Sequence, residues 1–138
     1  MWIPRDLSPR IERLASLFPV VVLTGVRQSG KTSLLRALYP EASFIALDLP
    51  TVAQAAETNP GGLIESAREP VIFDEVQYAP GLFRYIKAWV DEDRRPGRFL
   101  LSGSQTFTLM KGVSESLAGR AAIVSLGTLS SREILQHP

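Results

Sequence analysis

Hydrophobic positions along the chain fall into short unbroken blocks separated by longer amphipathic stretches. Val20-Val21-Val22-Leu23 is a continuous run rich in β-branched side chains, the pattern of a strand covered on both faces. Phe44-Ile45-Ala46-Leu47, Val71-Ile72-Phe73-Asp74, Phe99-Leu100-Leu101-Ser102 and Ala122-Ile123-Val124-Ser125-Leu126 repeat it. Between these blocks the period lengthens to that of a helix. Arg10 to Leu17 is amphipathic, with Ser8 placed to cap its free amides, Pro9 suited to its first position and Pro19 ending it. Thr32 to Leu38 is helical and stops at Pro40, and Thr51 to Arg68 reads as two short helices broken at Asn59-Pro60-Gly61-Gly62. Pro80 to about Arg94 carries Leu82, Phe83, Ile86, Trp89 and Val90 at helical spacing. Nearly all-apolar strands alternating with helices predict an α/β domain, a mostly parallel five-stranded sheet with helices on both faces.

Length and composition narrow the picture. The 138 residues suffice for one domain and not for two. With 45% hydrophobic and 21% charged residues the chain is globular in composition. A net charge of +1 supplies no basic field, so nucleic-acid binding gains no support from charge. The absence of cysteine excludes a disulfide scaffold and thiolate metal sites. The apolar run at Val20 is too short for a signal core or a membrane span. A cytoplasmic protein without membrane association is expected.

The chemistry is concentrated after the first strand. Gly25-Val26-Arg27-Gln28-Ser29-Gly30-Lys31-Thr32 matches G-x-x-x-x-G-K-[S/T] completely, between a buried strand and a helix. In such a loop the glycines let consecutive amides turn inward around anionic oxygens, and the following helix N-terminus adds its own amides. Lys31 reaches the outer phosphates, and the Thr32 hydroxyl coordinates magnesium. The expected contacts with nucleotide are Gly25, Arg27, Gln28, Ser29, Gly30, Lys31, Thr32 and Ser33. Arg27 has an alternative as a solvated or partner-facing side chain.

The third strand ends in two carboxylates, Asp74 and Glu75. Ligands in open α/β sheets lie at the carboxyl ends of strands. Asp74 there holds magnesium through water, with Thr32 as the other metal-site residue, and Glu75, pointing elsewhere, is a candidate general base for water. The pair favours hydrolysis over transfer to an acceptor hydroxyl. Ser104 and Gln105, with Ser102 within reach, are candidate γ-phosphate sensors if the fourth strand inserts between the first and third. The other reading of Ser104 is a helix cap.

Arg120 follows a helix C-cap expected at Gly119. It has two readings, contact with the γ-phosphate of a neighbouring subunit or a basic group satisfying helix carbonyls. Asp91-Glu92-Asp93-Arg94-Arg95-Pro96-Gly97-Arg98 is read as a solvated connection.

Together these segments resemble the bacterial and archaeal P-loop ATPases of the AAA+ superfamily in which an N-terminal ATPase domain precedes a C-terminal domain. The resemblance runs through Ile3-Pro4-Arg5, the loop at Gly25 to Thr32, Val71-Ile72-Phe73-Asp74-Glu75-Val76-Gln77, Val90 to Phe99, Ser102-Gly103-Ser104-Gln105 and Ser114-Glu115-Ser116-Leu117-Ala118-Gly119-Arg120. It implies a three-layer P-loop NTPase fold, Lys31 and Thr32 as Walker A, Asp74 and Glu75 as Walker B, and a sensor-like polar residue near Ser104. It also implies ATP and Mg2+ as cofactors. Members of this kind continue for a couple of hundred residues, so residues 1–138 are expected to be a single ATPase core lacking the helical lid and the C-terminal domain. ATP hydrolysis, a non-hydrolysing nucleotide-dependent interaction module and phosphotransfer all remain open. So do GTP in place of ATP, and a second copy or another protein as partner.

Overall fold

The computed structural model describes residues 8–25, 30–104 and 106–126. Its elements run α1 (Ser8–Ala15), β1 (Val20–Gly25), α2 (Lys31–Leu38), β2 (Ser43–Ala46), α3 (Pro50–Thr58), α4 (Pro60–Ile64), β3 (Val71–Asp74), α5 (Leu82–Glu92), β4 (Phe99–Ser104), α6 (Phe107–Ser116) and β5 (Ala121–Leu126), with a single 3₁₀ turn at Val76–Tyr78. The five strands form one sheet in the order β2-β3-β4-β1-β5, and every pairing is parallel. Parallel strands need helical crossovers, which cover both faces and give the chain its three layers.

Alternation along the strands builds two cores. Val20 and Val22 of β1, Val71 and Phe73 of β3, and Phe99 and Leu101 of β4 point to one face, where Ala56 of α3, Phe83, Ile86 and Val90 of α5, and Leu109 and Val113 of α6 cover them. Val21, Leu23, Ile72 and Leu100 point to the other, under Ile11 of α1 and Leu34 and Leu35 of α2. This period of two is why β1 is apolar at each position from Val20 to Leu23, the buried Thr24 that follows being hydrogen-bonded to β5. The edge strands relax the rule: β2 is only half-buried, and Ile123 of β5 is exposed.

Several local expectations shift. Ser8 is itself helical, and among the described residues its buried hydroxyl has no hydrogen-bond partner. Gly61 and Gly62 lie within α4 rather than in a break, and β4 extends two residues past Ser102. The cap of α6 is Thr106, whose hydroxyl accepts from the Leu109 amide at 3.1 Å, while Ser104 is still in the strand. The C-cap of α6 is Leu117 rather than Gly119, which lies two residues further on in the left-handed conformation, at φ 78°. Among the described residues no helix is long and apolar enough to cross a membrane.

Candidate functional site

The strand order brings the carboxyl ends of β1, β4 and β3 side by side. Because β4 inserts between the other two, Gly25 lies in register with Ser104. α2 starts at Lys31 directly behind Gly30, whose φ of 91° is a left-handed conformation that glycine reaches without a Cβ penalty. The first-turn amides of a helix have no partner within it, so this end of the sheet presents donors. Arg27, Gln28, Ser29 and Gln105 lie outside the described residues.

Two segments more than forty residues apart meet here. The Thr32 hydroxyl donates to Asp74 Oδ1 at 2.7 Å. Ser102, fully buried on β4, donates to the same oxygen at 2.6 Å, and its Oγ accepts the Glu75 amide at 3.3 Å. A carboxylate as buried as that of Asp74 requires such donors. Ser102 therefore serves the site by holding Asp74 and the turn after it.

Glu75 departs from the strand-based expectation that it points elsewhere. Its φ of 57° puts it in the left-handed region, where a non-glycine residue costs on the order of 1–3 kcal/mol and is found chiefly at functional sites. That turn brings the carboxylate back toward the loop. Glu75 Oε1 lies 3.6 Å from the Nζ of Lys31, itself buried, and Oε2 accepts from Gln77 Nε2 at 2.6 Å. Gln77 stood in the sequence only as part of a motif. Its signal was its position, two residues past the acidic pair, where a tight turn folds it over Glu75.

This donor set fits a magnesium-bound polyphosphate. Thr32 Oγ1 and the Asp74 carboxylate offer only hard oxygen donors, which suit a cation that keeps most of its waters. Lys31 beside them suits anionic oxygen. Ser33 is exposed on the first turn of α2, and Ser104 is half-buried with no side-chain hydrogen bond among the described residues.

Arg120 is not brought to this site. It precedes β5 at the opposite end of the sheet, where its Nε and Nη2 bind the two carboxylate oxygens of Asp91 at 2.8 and 2.9 Å and its Nη1 donates to the Ala118 carbonyl. The hydrogen bond from Arg120 holds the Asp91 carboxyl below the usual carboxylate range, and the same bond raises the arginine. The neighbouring connection is exposed from Asp91 to Pro96, as the sequence led one to expect, and departs from that at Arg98. Arg98 is largely buried, binds Glu69 Oε2 at 2.9 Å and donates to the carbonyls of Trp89 and Asp93; Arg95 joins Glu69 to Asp93. A guanidinium with several planar donors can tie together strands, helix end and loop where a single-point charge cannot.

The sequence profile of the AAA domain family matches residues 17–135, nearly the whole length. This chain belongs to that family. It is thus an AAA-type P-loop ATPase domain, and the loop before α2 sits in a nucleotide-binding architecture. An uncharacterised protein of Mycobacterium tuberculosis and one of Mycobacterium bovis are each 36% identical to this AAA domain over 131 residues, 94% of the chain. The chain spans about 30% of the length of these relatives. Among solved structures, the Walker-type ATPase of Pyrococcus abyssi superposes with a TM-score of 0.66 at 18% identity, covering 98% of this chain and 56% of its own. AMPPCP-bound DnaA from Aquifex aeolicus gives 0.59 at 21% identity, covering 94% and 47%. At these identities the likeness is one of fold.

Proposed function

We propose that this AAA domain binds ATP with magnesium at Gly25 to Thr32 and hydrolyses it by attack of water on the γ-phosphate. The observation that carries the reading is the Thr32–Asp74 hydrogen bond, which joins the loop to the acidic strand end. Magnesium, when bound, would neutralise phosphate charge and fix the phosphate geometry. Thr32 and Asp74 would hold it, Asp74 through water, and Ser102 keeps the Asp74 carboxylate aimed. Lys31 exchanges its carboxylate partner for the outer phosphates. Glu75, released at Oε1 by that exchange, accepts the proton of the attacking water. Ser104, in register with Gly25, reads the γ-phosphate. Gly25, Arg27, Gln28, Ser29, Gly30 and Ser33 complete the nucleotide contacts. Arg120 acts, in this reading, on the nucleotide of a second copy.

A second reading is a nucleotide-dependent interaction module that does not hydrolyse. It is favoured by the engagement of both Glu75 oxygens, at Lys31 and Gln77. The two part on one sample: titration with ATP, ADP and GTP in magnesium, then phosphate release by the parent and by Glu75→Gln. Hydrolysis requires release in the parent and its loss, with affinity kept, in the variant. Binding without release from either establishes the module. Phosphate appearing on an acceptor rather than in water would mean phosphotransfer. A cytoplasmic setting agrees with the cysteine-free sequence.

A further inference from the structure

Glu75 is gripped at two oxygens that have different fates. Lys31, at Oε1, is the group that phosphates would draw away, so this oxygen faces the nucleotide side of the turn. Gln77, at Oε2, sits on the 3₁₀ turn behind it and holds the shorter contact, 2.6 Å. The other end of the same carboxamide is equally constrained. Gln77 Oε1 is buried without a hydrogen-bond partner among the described residues. A Cβ on Gly103 would stand 2.6 Å from that oxygen, so a side chain at the end of β4 would have to displace the carboxamide. A carboxamide that leaves its acceptor unsatisfied in order to donate to Glu75 is placed for the donation.

We infer that Gln77 is a positioning residue that anchors Glu75 Oε2 before and after nucleotide loading, so that Oε1 alone is presented to water, and that Gly103 is glycine to admit the Gln77 carboxamide. This rests on the reading of Glu75 as the base. When Lys31 moves to phosphate, the tether at Oε2 is what keeps the carboxylate from swinging with it. The left-handed backbone of Glu75 aims the side chain, and Gln77 fixes its last two torsions. The end of β4, which carries Ser102 and Ser104, is thereby in steric contact with the group that holds the base.

The experiment uses Gln77→Met, Gly103→Ala and their combination in the full chain. Methionine keeps the length and deletes both the donor and the unsatisfied acceptor, so the melting temperature is expected to hold or rise. Turnover should fall about 10- to 100-fold, the scale of a misplaced catalytic group, with KM within about twofold. Gly103→Ala should cause a similar fall in the parent and little further fall beside Gln77→Met, since both displace one carboxamide. Equal, independent losses from the two substitutions, or turnover of Gln77→Met within about twofold of the parent, overturn the inference.

A second arm needs no turnover. In ¹H–¹⁵N spectra one Gln77 side-chain proton should exchange slowly in the nucleotide-free protein, lose that protection in Glu75→Ala, and keep it when a non-hydrolysable ATP analogue and magnesium are added. Loss of protection on loading makes the contact a resting lock and overturns the anchor. No protection in the nucleotide-free protein does the same. A parent that binds nucleotide but releases no phosphate defeats the hydrolytic reading, while these spectra still decide the anchor.

Discussion

The hydroxyl of Thr32 donates to Asp74 Oδ1 at 2.7 Å, linking the first turn of α2 to the last residue of β3. Ser102 donates to the same oxygen from β4, between β1 and β3 in the sheet. One carboxylate oxygen therefore receives a helix and a strand that sequence separates by seventy residues. Exchange of Asp74 for Asn should remove the part of nucleotide affinity that depends on magnesium. Affinity in chelator should stay within about threefold, since a neutral amide cannot replace the charge but fills the same space. Calorimetric titration with and without magnesium reads both, and equal affinities for variant and parent in magnesium would refute the assignment.

Lys31→Ala should weaken triphosphate binding about 10- to 150-fold, the range of one hydrogen bond to a charged group. The side chain is only 4% exposed, so the effect should resist moderate salt better than a surface contact would. Affinity unchanged within twofold would contradict the phosphate-binding role.

Removing the Ser102 hydroxyl by Ser102→Ala takes a donor from Asp74 and an acceptor from the Glu75 amide. The expected loss is about 1–3 kcal/mol, a fall of several degrees in Tm for a domain of this size. Thermal unfolding measures it; an unaltered Tm would mean that water replaces the hydroxyl at no cost.

Gly112 lies in α6 against the ring of the buried Phe83, and a Cβ there would overlap that ring. Alanine favours a helix interior by about 1 kcal/mol, whereas overpacking a core contact costs about 1–3 kcal/mol. Overpacking should win, because three ring atoms of Phe83 lie within 2.8 Å of that Cβ, and a ring held in the core cannot clear it by a side-chain tip motion alone. Gly112→Ala is therefore expected to lower the urea midpoint, and a raised midpoint would show that α6 moves outward freely.

The Asp91 carboxyl is held low mainly by its hydrogen bond from Arg120. A depressed carboxyl stabilises the fold above its unfolded pKa, and that contribution is lost as pH falls through the folded value. The Asp91–Arg120 contribution should thus be full at neutral pH, begin to fall only near the ordinary carboxylate range of about pH 4, and be gone once pH drops below the depressed folded value. Arg120→Met should move the Asp91 midpoint upward, read by carboxyl NMR, without changing nucleotide affinity of an isolated chain. A fall in that affinity would place Arg120 at its own chain's site.

Much of this was legible in sequence because it is local. Val20 to Leu23 is a buried parallel strand by its apolar continuity, and the loop spacing fixes strand, turn and helix N-terminus within a dozen residues. Asp74 declared itself by ending such a strand. The misreadings share a cause. Ser8 and Ser104 are competent caps by residue type, but Ser8 lies within α1 and Ser104 within β4, and Thr106 caps α6. Arg98, at the end of an otherwise exposed connection, was read with it as solvated because its partner Glu69 lies some thirty residues earlier in the chain.

The sequence by itself determined that an α/β sheet carries a phosphate-type loop beside an acidic strand end, since periodicity and turn chemistry act over a few residues. Tertiary structure alone decided that β4 lies between β1 and β3, that Ser102 serves Asp74, and that Arg120 pairs with Asp91 at the far end of the sheet. It alone turned Gln77 onto Glu75. These contacts depend on strand order, register and a single left-handed backbone turn, and no local preference encodes which distant side chain will be waiting there.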